Sequence, residues 1–167
     1  MILEYLQPDA SILDGITVII RALYYIATIG AAGLAIFAIG FEHRLEAHEA
    51  ARLRRTLLGA ILAGLALSLL ALILRVLVLT AGANISDPNV WAAVMRSRIG
   101  DAFWLRTAGL VLLAAMVTNW RIRSAMTAIG ALLMLASYAA MGHSMLFAPR
   151  QEIAALVVLH LAVVSFW

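Results

Sequence analysis

The chain has 167 residues, 65% hydrophobic and only 13% charged, with a mean hydropathy of +1.01 and a formal net charge of +3. Soluble domains carry about 25% charged residues, so the composition excludes an ordinary soluble protein and predicts an all-α, polytopic transmembrane bundle forming a single domain. There is no cysteine, which removes disulfides and thiolate metal sites, and the modest positive charge, all of it arginine, argues against nucleic acid as a partner.

Five apolar runs are expected to form helices, at about 15–41, 56–82, 102–119, 125–142 and 152–167. Each is close to or above the roughly 17–25 residues that cross a bilayer. The first is preceded by acidic Glu4, Asp9 and Asp14 rather than a basic segment, so it does not read as a cleavable signal. The connection from Glu42 to Arg55 is predicted to continue the first two helices beyond the bilayer, with His43 and His48 on a solvated helix end. After the second run, Asp87-Pro88-Asn89 is a turn and helix-start signal. Val90 to Arg98 then reads as a short interfacial helix with Trp91 at headgroup level, and Ile99-Gly100-Asp101 as the start of the third span.

Arginines in two connections set the expected orientation. Arg44, Arg52, Arg54 and Arg55 lie in one, Arg121 and Arg123 in the other. By the positive-inside rule both face the cytoplasm, which puts the N-terminus and the 143–151 hairpin on the outer side of the membrane. Arg96 and Arg98 run against this assignment.

Three further arginines interrupt apolar runs. Counted along the helix, Arg21 lies about 9 Å, Arg75 about 10 Å and Arg106 about 6 Å below the outer ends of their helices, with His160 about 12 Å down the fifth. Arginine this close to an interface also snorkels to headgroups. The shared depth instead predicts that all three face an outer cavity or the bundle interior, where Asp14, Asp101 and Glu152 would neutralise them or an anion such as a propionate or lipid phosphate would be held.

Two histidines bracket the last hairpin: His143, between Gly142 and Ser144, and His160, inside the fifth run. A lone histidine at a helix end is usually solvated, whereas an imidazole within an apolar helix is a site hypothesis needing a partner. With Met141 and Met145 beside His143, the imidazole and thioether donors suit copper, Cu(I) better than zinc. The methionines also serve as packing residues. No HExxH, Walker loop, GxSxG or paired-carboxylate motif is present, and the chain is not expected to be an enzyme.

The stretch from Arg98 through Asp101, Phe103 and Trp104 to Arg106 resembles a segment of the copper resistance protein D family. Gly142-His143-Ser144, His160-Leu161-Ala162 and Ser165-Phe166-Trp167 resemble another, and Arg21 is also similar. The family's domain normally continues beyond that tryptophan, so the chain is expected to be its N-terminal part or a truncated relative. The resemblance implies copper uptake or copper tolerance at the inner membrane, beside a small periplasmic copper-binding partner. Copper ion would be taken at His143 and passed to His160. The competing reading is a b-type membrane cytochrome, or a haem- or quinone-binding electron-transfer subunit, with the histidines as axial ligands and the arginines on propionates. An assembly subunit without a ligand is a third.

Overall fold

The computed structural model describes residues 10–80, 85–118, 121–141 and 150–166. Among these, six α-helices run in chain order: α1 (Ala10–Phe41), α2 (Ala47–Leu79), α3 (Pro88–Met95), α4 (Arg98–Leu113), α5 (Arg123–Met141) and α6 (Arg150–Phe166). Four stretches, Gly15–Arg44, Ala47–Leu79, Arg98–Val117 and Arg123–Ala140, are long and apolar enough to cross a membrane, while α6 is apolar but shorter. No strand occurs among the described residues. The expected ends at 82, 119, 142 and 167 lie outside the described residues.

Local chemistry explains the boundaries that hydropathy misses. α2 begins nine residues before the apolar run because Glu46 and Glu49 form a reciprocal capping box, in which the Glu49 carboxylate accepts the Glu46 N–H at 3.0 Å. The helix therefore carries its charged first turns out past the apolar region, as expected for the 42–55 connection. At α3, the Asp87 carboxylate accepts the Asn89 N–H at 2.9 Å and Pro88 takes the first helical position. α4 starts at Arg98, with Ser97 as its cap: Ser97 Oγ accepts the Ile99 N–H at 3.2 Å. The third span thus begins before the expected Ile99-Gly100-Asp101, and α3 ends at Met95, not Arg98. Gly100 permits that tight corner, since a Cβ there would fall 2.1 Å from the Met95 carbonyl oxygen.

α1 brings small residues to the interior. Ala31, Ala32, Ala35 and Ala38 of α1 pack on Leu57 and Ile61 of α2, Leu110 and Leu113 of α4, and Ala131, Met134 and Leu135 of α5. Large side chains such as Ile26, Leu62, Leu132 and Leu156 point outward, each more than half exposed. That arrangement suits a bilayer, where lipid is as apolar as leucine and helices associate by close packing of small residues. α1 contacts α2, α4, α5 and α6. The α4–α5 crossing is closest at Gly109 and Gly130: a Cβ on either would lie 2.7 Å from the other's carbonyl oxygen. A second cluster seats Val94 of α3 against Leu72 and Val76 of α2. Trp91 closes it by donating its indole N–H to the Ile85 carbonyl at 2.7 Å.

Candidate functional site

A cavity of about 690 Å³ opens at the end of the bundle where α1 and α4 begin and α2 and α5 end. α1 supplies Thr17, Ile20, Arg21, Tyr24 and Tyr25; α2 supplies Ser68, Leu72, Leu74, Arg75, Val78 and Leu79. α4 adds Ile99, Phe103 and Arg106, and α5 adds Tyr138. The three arginines expected to share a level therefore line one space. Arg21 and Arg75 are exposed to it, and Arg106 is 95% buried at its floor, with 5% of its surface accessible.

Arg106 is held by aromatic faces. Its guanidinium carbon lies 4.7 Å from the Tyr24 ring centre and 5.0 Å from that of Tyr138, and the two rings stack 6.0 Å apart. A cation over an aromatic face is worth about 0.5–1 kcal/mol when exposed and about 2 or more when desolvated. Tyr25 packs edge-on against both rings. The Tyr138 hydroxyl is hydrogen-bonded to Thr28 Oγ1, which also donates to the Tyr24 carbonyl at 2.7 Å. α1 and α5 are thus tied to each other by the groups that hold the α4 arginine. Sequence reading missed Tyr24, Tyr25, Tyr138, Thr28 and Ser68. The available signal was three tyrosine hydroxyls placed inside apolar runs rather than at their ends.

The carboxylates expected to neutralise the arginines do not do so among the described residues. Asp101 and Glu152 are exposed, and neither pairs with Arg21, Arg75 or Arg106 there. The Asp14 side chain lies outside the described residues. α4 turns Ala102, Arg106, Gly109, Leu110 and Leu113 inward, so Asp101 and Trp104 fall on the opposite face, and Trp104 is 58% exposed.

His143, Met145 and the side chain of Met141 lie outside the described residues. His160 is described, and it is exposed rather than buried. α6 packs inward through Val158, Leu161 and Ala162, with the Ser165 carbonyl so close to Gly33 that a Cβ there would overlap it. That i, i+3, i+4, i+7 stripe leaves His160, about 200° around the helix from Val158, on the outer face. It does not line the cavity. Among the described residues no group of three His, Asp or Glu side chains is arranged to hold a metal ion, and no two imidazoles form an axial pair for a haem. His43 and His48 are exposed, with His48 Nδ1 3.3 Å from Glu46, as expected of a solvated helix end.

At the opposite end of the bundle Glu42 is buried at 7% exposure and gathers two arginines, Arg54 of α2 through Nε and Arg123 of α5 at 3.1 Å. One carboxylate at the end of α1 so clamps three helices.

The model of the copper resistance protein D-like family, N-terminal domain, matches residues 12–148, which include every element lining the cavity. No curated protein and no solved structure matches the chain.

Proposed function

This chain belongs to the copper resistance protein D-like family, as its N-terminal domain, and from that premise we propose that it handles copper as cargo at a bacterial inner membrane, in uptake or in tolerance. The observation that carries the reading is the match over 12–148, which spans the cavity and the helix that precedes His143. That it is a copper-related membrane protein follows from the match and the four apolar helices.

In this reading the N-terminus and the hairpin face the periplasm. The arginines at 44, 52, 54, 55, 121 and 123 all lie at the Glu42 end of the bundle, which the positive-inside rule assigns to the cytoplasm. A periplasmic copper-binding protein would deliver copper to His143, with Met141 or Met145 completing the donor set and His160 as the next station. Imidazole and thioether donors hold Cu(I) without a thiolate. The cavity's three cations make it unsuited to a bare metal ion, so the donors are the hairpin residues rather than Arg21, Arg75 or Arg106. No catalytic step is assigned.

The test is copper titration of the purified chain alongside His143→Ala and His160→Ala. His143→Ala is expected to weaken Cu(I) binding about tenfold or more, the effect of losing one ligand from a small donor set, and His160→Ala, at the separate station on the outer face of α6, to weaken it less. Wild-type affinity in the double variant would overturn the ligand assignment. Copper-dependent growth with the same variants separates uptake from tolerance by the sign of the change. Reporter fusions that place residue 48 outside the cell would reverse the orientation.

A further inference from the structure

We infer that the cavity between α1, α2, α4 and α5 binds a phosphate-bearing anion, whether free or carried on a lipid headgroup. The inference goes beyond the copper reading and does not depend on it. Its first ground is charge. Among the described residues the lining contains three guanidinium groups and no carboxylate. Arg106 is offset by the faces of Tyr24 and Tyr138, but no described carboxylate pairs with Arg21 or Arg75. Like charges in a space walled by apolar side chains repel more strongly than in water. A guanidinium presents a planar fork of donors that matches phosphate oxygens, and several converging forks are the usual device for recognising that group.

The second ground is independent of charge. Ser68 Oγ is buried, lines the cavity and has no hydrogen-bond partner among the described residues. A buried hydroxyl left unsatisfied is costly, so such a group in a cavity wall marks where a ligand oxygen is accommodated. The third is shape. A volume of about 690 Å³ is in the range of small-molecule sites and far larger than one phosphate needs. Beside the arginines the α2 wall is apolar, with Leu72, Leu74, Val78 and Leu79. The site therefore suits a phosphate ester with an apolar part better than a small carboxylate, which offers the guanidinium forks only two oxygens and has no apolar part for the α2 wall.

The experiment uses the full chain, free of copper, in phosphatidylcholine nanodiscs, with inorganic phosphate and short-chain phosphatidylglycerol as probes. Calorimetric titration is expected to show saturable binding at one site per chain, weakened by added salt. Arg21→Gln and Arg75→Gln, both on exposed side chains, are each expected to weaken binding about tenfold, as loss of a charge-assisted hydrogen bond does. Ser68→Ala should weaken it less, and Arg75→Lys should retain part of it. Binding of inorganic phosphate alone identifies a free anion as ligand. Phosphatidylglycerol binding that phosphate cannot match identifies a headgroup. A single site serving both is recognised by phosphate displacing the lipid, a readout that needs no variant. Absence of binding by both probes, or affinities unchanged in Arg21→Gln and Arg75→Gln, would overturn the inference while leaving the copper assignment untouched.

Discussion

Gly109→Ala is the substitution whose consequence follows most directly from geometry. The new Cβ would lie 2.7 Å from both the Gly130 carbonyl oxygen and the Met134 nitrogen, and 2.8 Å from Met134 Cβ. Two of those atoms are backbone, so no rotamer change relieves the overlap and the axes of α4 and α5 must separate. Overpacking of this kind costs about 1–3 kcal/mol. The separation also draws Arg106, three residues earlier on α4, away from Tyr138, one turn beyond Met134 on α5, forfeiting part of a contact worth about 0.5–2 kcal/mol. Alanine's better helix propensity returns at most about 1 kcal/mol. The expected net loss is about 2 kcal/mol. Gly59 supplies the control, because a Cβ there meets nothing within 4 Å, and Gly59→Ala is expected to be neutral or to stabilise by up to about 1 kcal/mol. Reversible unfolding in mixed detergent–SDS micelles, followed by far-UV circular dichroism, measures both. If Gly109→Ala unfolds at the same SDS fraction as Gly59→Ala, the close α4–α5 crossing is wrong, and with it the positioning of Arg106.

Glu42→Gln should destabilise by about 2 kcal/mol in the same assay, because it leaves Arg54 and Arg123 beside a neutral partner in a mostly buried site; the cost is kept below that of a fully buried pair by the partial exposure of both arginines. A loss below about 0.5 kcal/mol, the ordinary value for a solvated pair, would refute the clamp. Arg106→Lys keeps the charge but loses the flat guanidinium that lies over two rings, and should cost about 1–2 kcal/mol; stability equal to wild type would mean that the Tyr24 and Tyr138 faces contribute nothing.

The fold was legible where the signal was long-range hydropathy or a fixed rise per residue. Five apolar runs gave the helices, and counting along them put Arg21, Arg75 and Arg106 at one level, where they do line one cavity. Boundaries set by a single side chain were less visible. Ser97 caps α4 from a position that carries no hydropathic mark, and the Glu46–Glu49 box starts α2 within a charged stretch. The partners of Arg106 could not be read at all, because Tyr24 and Tyr138 are more than a hundred residues apart and meet only through tertiary packing. That His160 lies on the outer face of α6 could not be read for a related reason. α6 is apolar almost all round, so its sequence names no inward face, and only the close approach of Ser165 to Gly33 fixes which side packs.

The Glu42 clamp has a mechanical consequence. It fastens α1, α2 and α5 to one another at one end, and the Gly109–Gly130 crossing leaves α4 and α5 no slack further along. The far ends of the same helices are parted by the cavity. Tyr24 and Thr28 still tie α1 to Tyr138 of α5 there, so the assembly is a pair of tongs riveted at Glu42, with α2 as the jaw that can splay from α1. Any widening must grow with distance from the rivet, so that motion of a few degrees is negligible at Arg54 and amounts to about 2 Å at Val78, some 36 Å along α2. Spin labels paired across the bundle should show narrow distance distributions near Arg54 and broad ones between Thr17 and Val78, and Glu42→Gln should broaden the narrow set first.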